Sequence, residues 1–246
     1  MTKTNAIASR IMVALDVPDE SAADALLRRL EGIPCYVKVG MELFYAAGPR
    51  LVVRLKEAGY RVFLDVKMHD IPNTVKGGAA SVTRLGVDMF NVHAAGGIAM
   101  MEAAREGVES ALSGSPGAVR PVVIGVTQLT SVNRAVLNDQ IGIAGTVEDA
   151  VLRYAELAKR AGLDGVVASP LETARIKERC GRDFLAVTPG IRPAGAETGD
   201  QARVMTPREA FRQGADYIVI GRPITAAPDP RRALEDIIRS VEGEIG

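Results

Sequence analysis

Asp65, Lys67 and Asp70, within the segment running from Phe63 to Thr74, put two carboxylates and an amine at the end of one apolar run. In extended backbone, residues two apart project to the same side, so Asp65 and Lys67 share a face that would otherwise bury methyl groups. Burying opposite charges costs free energy unless chemistry uses the pair. An ammonium flanked by carboxylates can stabilise a developing negative charge and deliver a proton. Asp70 lies past the expected strand end, where Pro72 suits the first turn of a helix and stops the strand.

Other polar residues fall at comparable places. Asp16 ends the apolar run from Ile11, Lys38 sits in the run Cys35 to Gly40, His93 ends the run from Asp88, and Pro121 to Thr127 leads into Gln128, Leu129 and Thr130. If the fold is a barrel, these residues line one mouth. The alternative, strand-end polars scattered and solvated, does not account for Asp65 beside Lys67. A glycine-bearing loop from Thr188 to Gln201 carries Arg192, and a later run leads into Gly221, Arg222, Pro223 and Ile224. Backbone amides and arginines in such loops are where a barrel of this kind receives a phosphate. Two ordinary surface arginines on a mobile loop are the competing reading. His69 and His93 read more simply as hydrogen-bonding neighbours than as metal ligands, and lysines at the rim oppose a cation.

The elements that must position these groups follow one grammar. Gly59, Gly86, Gly162 and Gly214 each stand two residues before a charged residue (Arg61, Asp88, Asp164, Asp216) that opens an apolar run. Each reads as a helix ended by a left-handed glycine, a tight turn and a short buried strand. Runs at Ile11 to Asp16, Cys35 to Gly40, Pro121 to Thr127 and Phe184 to Val187 bring the strands to eight. Helical patterns at Ser21 to Leu30, Pro49 to Ala58, Val147 to Ala161 and Arg231 to Val241 lie between them. Eight alternating β and α units in about 250 residues is the size of a (β/α)8 TIM barrel, with an open doubly wound sheet as the alternative. The stretch Ser113 to Gly117 resembles a linker, but cutting there would leave two open parallel half-sheets. It reads as a loop on the face opposite the chemistry, and residues 1–246 as a single catalytic domain.

Composition sets limits on partners. Thirty Lys and Arg against thirty Asp and Glu, with no basic block, argue against nucleic acid or an anionic membrane as main partner. Cys35 and Cys180 are far apart in sequence and lack a CxxC or a nearby histidine pair, so they read as idle reduced thiols. No apolar stretch is long enough for a signal segment or membrane span, and the expected location is the cytoplasm.

The segment Phe63 to Thr74 resembles the signature of the orotidine 5'-phosphate decarboxylase family. Val13 to Asp16, Val37 to Gly40, Thr127 to Ser131, Thr188 to Arg192 and Gly221 to Ile224 are similar to that family's other motifs, in the same order. The resemblance implies a homodimeric TIM barrel that converts orotidine 5'-phosphate to UMP and CO2 without metal or organic cofactor. It assigns Lys38, Asp65, Lys67 and Asp70 to a charged catalytic network. Asp70, Ile71 and Thr74 would reach into the partner subunit's site. Asp16 and Lys38 would hold the ribose, Thr130 the pyrimidine edge, and Arg192, Gln201, Gly221 and Arg222 the phosphate. Met68 stands where other apolar residues are usual, a change without consequence for the chemistry.

Two rival functions differ in kind. A magnesium-dependent sugar-phosphate decarboxylase or aldolase of the same superfamily also carries Asp-x-Lys-x-x-Asp, but needs an acidic residue on the second strand, where this chain has Lys38. A noncatalytic barrel that binds a phosphorylated ligand would be marked by loss of a network residue, and all four are present.

Overall fold

The computed structural model describes residues 2–114, 117–193 and 204–243. Eight parallel strands close into a barrel in sequential order: β1 (Ile11–Ala14), β2 (Tyr36–Gly40), β3 (Arg61–Met68), β4 (Met89–His93), β5 (Val122–Val126), β6 (Gly165–Val167), β7 (Leu185–Thr188) and β8 (Tyr217–Ile220), with β8 pairing back onto β1. Closure leaves no sheet edge and sets aside the open doubly wound alternative. The helices are α1 (Lys3–Ala8), α2 (Glu20–Leu30), α3 (Met41–Ala47), α4 (Pro49–Glu57), α5 (Pro72–Arg84), α6 (Gly97–Ser113), α7 (Val147–Arg160), α8 (Thr173–Cys180), α9 (Pro207–Arg212), α10 (Arg222–Thr225) and α11 (Pro230–Ser240).

Strand alternation divides the core in two. Outward residues such as Val13, Val37, Leu64 and Val92 pack under the helices with Leu30, Leu55 and Val75. Inward residues Met12, Tyr36, Phe63, Met89, Ile124, Val187 and Val219 fill the barrel itself. Fully burying an aliphatic or aromatic side chain of this size stabilises the fold by about 1.5–3 kcal/mol. One inward step beyond this apolar plug the character changes, because Lys38 follows Tyr36 by two, Asp65 follows Phe63 by two and Asn91 follows Met89 by two. All three are buried, and they form the floor of the mouth.

At the other end, the glycine joints carry a device that recurs three times. Gly86, Gly162 and Gly214 have φ of 76°, 73° and 97°, the left-handed turn that glycine adopts without a Cβ clash. Two residues on, an aspartate reaches back to the preceding strand. Asp88 Oδ2 accepts from Val62 N–H at 2.7 Å and from Lys56 Nζ at 2.5 Å. Asp164 Oδ2 accepts from Val123 N–H at 2.7 Å and Arg120 Nη1 at 2.9 Å. Asp216 Oδ2 accepts from Ala186 N–H at 2.7 Å and Lys177 Nζ at 2.5 Å. The fourth joint, at Gly59, has Arg61 in that place, and its Nη2 donates to Pro34 O at 2.9 Å.

Element boundaries differ from the sequence reading where local signals are weak. β1 stops at Ala14, leaving Asp16 beyond it, while β3 runs to Met68 and carries both Asp65 and Lys67. Ser113 belongs to α6, while Ser115 and Pro116 lie outside the described residues. Both cysteines are free and buried, and burial pushes the Cys35 thiol up to about 11. Among the described residues no helix is long and apolar enough to cross a membrane.

Candidate active site

Four charged side chains form a continuous row across the mouth. Asp16 Oδ1 accepts from Lys38 Nζ at 2.9 Å, Lys38 Nζ lies 3.3 Å from Asp65 Oδ2, and Asp65 Oδ1 accepts from Lys67 Nζ at 2.7 Å. Charges alternate along the row, so each interior member meets an opposite charge on both sides. Burial of the Lys38 ammonium favours its neutral form, but Asp65 and Asp16 outweigh this and hold its pKa above the usual lysine value. Burial acts on Asp65 in the opposite sense, and Lys38 and Lys67 with the hydrogen bonds from Lys67 and Asn91 leave its pKa below the usual carboxylate value. Both therefore stay ionised at neutral pH. Gly40 leaves them room, since a Cβ there would stand 3.1 Å from both Asp16 Oδ1 and Lys38 Nζ and one of them would have to shift.

Lys67 reaches this row by a route that alternation does not describe. Its φ is 49°, in the left-handed region rather than extended, and it is alone among the described non-glycine residues in having a positive φ. Leu64 pairs with Phe90 and Met68 with Val92, so three residues of β3, Asp65 to Lys67, bulge against the single Asn91 of β4. The two side chains do face the same side, as their spacing predicts, but the backbone between them is bent. Asn91 is fully buried, donates from Nδ2 to Asp65 Oδ1 at 2.7 Å and accepts at Oδ1 from Lys67 N–H at 2.8 Å. It lies inside β4 rather than at a strand end, apart from the polar residues that strand ends single out. Its signal was a polar residue inside an apolar strand, two beyond the inward Met89.

Asp70 does not join the row within this chain. It is exposed past β3, its Oδ1 accepts from Ile71 N–H at 2.7 Å, and among the described residues it forms no ion pair with Lys67. Ile71 is 67% exposed, and Thr74 lies exposed in the first turn of α5. His69 is exposed and His93 half-buried, with ring centroids 5.4 Å apart. Burial, together with the neighbouring His69 and Lys67, lowers the His93 pKa.

Two adjoining cavities meet over Lys38, Asp65 and Lys67. One, of about 520 Å3, extends to Asp16, Gly190, Arg192, Gly221 and Arg222. The other, of about 380 Å3, extends to Phe63, Val126, Gln128, Thr130, Ser131 and Ala168. Desolvation and the neighbouring Arg222 lower the Arg192 pKa, and both guanidinium groups line the far end of the first cavity. The second is walled largely by apolar side chains, with polar atoms supplied by the segment after β5. Gln201 lies outside the described residues. Among the described residues no group of three or more His, Cys, Asp or Glu is placed to hold a metal ion.

A profile of the orotidine 5'-phosphate decarboxylase / HUMPS family matches residues 9–237. The chain belongs to this family. It is 56% identical over 235 residues to the orotidine 5'-phosphate decarboxylase of Moorella thermoacetica, covering 95% of this chain and 92% of that one. A Bacillus cereus protein of the same name is 50% identical over 233 residues, covering 95% and 97%. The crystal structure of the Lactobacillus acidophilus orotidine 5'-phosphate decarboxylase superposes with a TM-score of 0.85 at 42% identity, over 95% of this chain and 99% of that one. The family's barrel is the one described above.

Proposed function

We infer that this chain decarboxylates orotidine 5'-phosphate to UMP and CO2, the carboxy-lyase step that completes de novo pyrimidine synthesis, and we assign the reaction to the row Asp16, Lys38, Asp65 and Lys67. The observation that carries the assignment is the Lys67 ammonium, 2.7 Å from Asp65, at the junction of the two cavities. When the bond from C6 to the carboxylate breaks, the electron pair stays on the ring and CO2 departs. A fixed cation beside C6 interacts more strongly with that developing charge than with the ground state, which is what lowers a barrier. Lys67 Nζ then gives its proton to C6, and solvent restores it. Asp65 aims Lys67 and, with Lys38, holds the row in place before substrate arrives.

The substrate's remaining parts match the cavities. Arg192, Arg222 and the backbone of Gly190 and Gly221 receive the phosphate, Asp16 and Lys38 the ribose hydroxyls, and Thr130 the pyrimidine edge. Gln201 belongs with the phosphate group in the same proposal. Phosphate binding is remote from C6, so its energy can be spent on ordering the site.

Asp70, Ile71 and Thr74 are assigned to the neighbouring subunit's site in a homodimer. Support comes from their exposure and from exposed apolar side chains on segments following β2, β3 and β5, namely Met41, Ile71 and Leu129. The proposal takes residues 1–246 as one catalytic domain, supported by the family match over 9–237. It places the protein in the cytoplasm, since a phosphorylated substrate does not cross membranes unaided.

The test is the absorbance of orotidine 5'-phosphate incubated with chelator-treated protein. Substrate should be consumed without added metal, and Lys67→Ala should abolish turnover in a folded protein. Activity that returned only with magnesium would transfer the chain to the sugar-phosphate reading. Binding without turnover would make it a noncatalytic barrel.

A further inference from the structure

We propose that Asn91 is a positioning residue for the decarboxylation, holding Lys67 in its left-handed conformation and aiming the Asp65 carboxylate through the two ends of one amide. The inference rests on the assignment of Lys67 and Asp65 made above. At the β3 bulge the register shifts between Leu64 and Met68, leaving Lys67 without a paired residue on β4, and its N–H goes to a side chain instead. Asn91 Oδ1 takes that N–H at 2.8 Å while Nδ2 donates to Asp65 Oδ1 at 2.7 Å, the oxygen that also receives Lys67 Nζ. One side chain thus fixes both ends of Lys67, its backbone directly and its ammonium by way of Asp65.

The chemistry of the side chain is specific to this task. The site must accept from an N–H and donate to a carboxylate, at full burial, without adding charge. A neutral amide does both. An apolar residue would orphan the Lys67 N–H and free Asp65 to turn, and an ionised carboxylate could not donate and would repel Asp65. Substrate binding makes smaller demands on this link, because the phosphate and ribose contacts lie on other strands.

Asn91→Leu and Asn91→Asp, compared with Lys67→Ala as benchmark, test the proposal by steady-state decarboxylation and by UMP affinity. Displacement of a reacting group by about 1 Å can cost about a hundredfold in rate. For Asn91→Leu, kcat should fall by about that factor while affinity for UMP changes by less than about threefold. For Asn91→Asp, the introduced carboxyl can donate and accept only when protonated, so its kcat should rise as pH falls across a range where the parent is flat. Retention of kcat within about threefold in folded Asn91→Leu, or equal losses of kcat and UMP affinity, would overturn the proposal. If Asn91→Leu does not fold, a pH profile for Asn91→Asp parallel to the parent's overturns it instead. Retained turnover in Lys67→Ala would indict the underlying assignment, whereas a dead Lys67→Ala beside a fully active Asn91→Leu would indict Asn91 alone.

Discussion

Lys67 occupies backbone that an L-residue enters at a cost of about 1–3 kcal/mol, and glycine at almost none. Its side chain must therefore be needed where it stands. Lys67→Gly should be at least as stable as Lys67→Ala, the reverse of the usual order at an extended position, with both variants inactive; thermal denaturation compares them directly. Charge at the far end of the site leads to a different expectation. Arg222→Ala should impair turnover of orotidine 5'-phosphate by at least about tenfold more than that of orotidine lacking the phosphate, because only the first carries the group assigned to the guanidinium. Arg192→Ala should follow the same pattern more mildly. Equal losses on both substrates, read as kcat/KM, would remove the arginines from the phosphate site. The charged residues were legible in the sequence because ionised groups inside apolar runs demand a use. Asn91 carries no charge, and its role depends on a bulge in the neighbouring strand that no spacing announces.

The strand joints show a similar division. Glycine two residues before Asp88, Asp164 and Asp216 marked where helices end and strands begin, since the left-handed turn is a local property. The carboxylates' grip on Val62, Val123 and Ala186 could not be read, because each partner lies on another strand, 26, 41 and 30 residues away. α3 starts at Met41 directly after β2, with no loop between them to mark where the strand ends. Replacing one of the aspartates takes the acceptor from a strand N–H and removes an ion pair, although Arg120 and Lys177 keep other acceptors. Asp88→Ala, Asp164→Ala and Asp216→Ala should each lose about 1–3 kcal/mol of stability in chemical denaturation. At temperatures where they remain folded, kcat should match the parent, because the carboxylates lie at the end of the barrel opposite the charged row.

For the whole molecule, the placement of Asp70 decides between a self-contained site and one completed by a second copy. Lys67→Ala and Asp70→Ala homodimers should each be nearly inactive under either arrangement. In a mixed dimer with shared sites, one site collects both lesions and its twin collects neither. Random assortment makes half the dimers mixed, so co-refolding should restore about a quarter of the parent activity. If each subunit served itself, every site would keep one lesion and mixing would recover nothing. The barrel as a class was legible because eight strand and helix units repeat within one chain. Whether a second copy completes the site was not, since exposed Ile71 reads the same in a sequence whether a partner covers it or water does.

The aspartate clamps also say where the chain can be reopened. Each joins strands that are consecutive in sequence, β3 with β4, β5 with β6 and β7 with β8, so each is a short-range link across one β-to-β connection. The ends adjoin as well, with Thr4 Oγ1 lying 3.4 Å from Glu242 Oε1. A circular permutant joined there and opened between Gly114 and Gly117 keeps every clamp within a continuous stretch of chain. One opened at Gly86 leaves Asp88 within two residues of the new N-terminus, where fraying competes with its grip on Val62. The first should melt close to the parent and the second well below it, although both contain the same residues and the same strand order around the barrel.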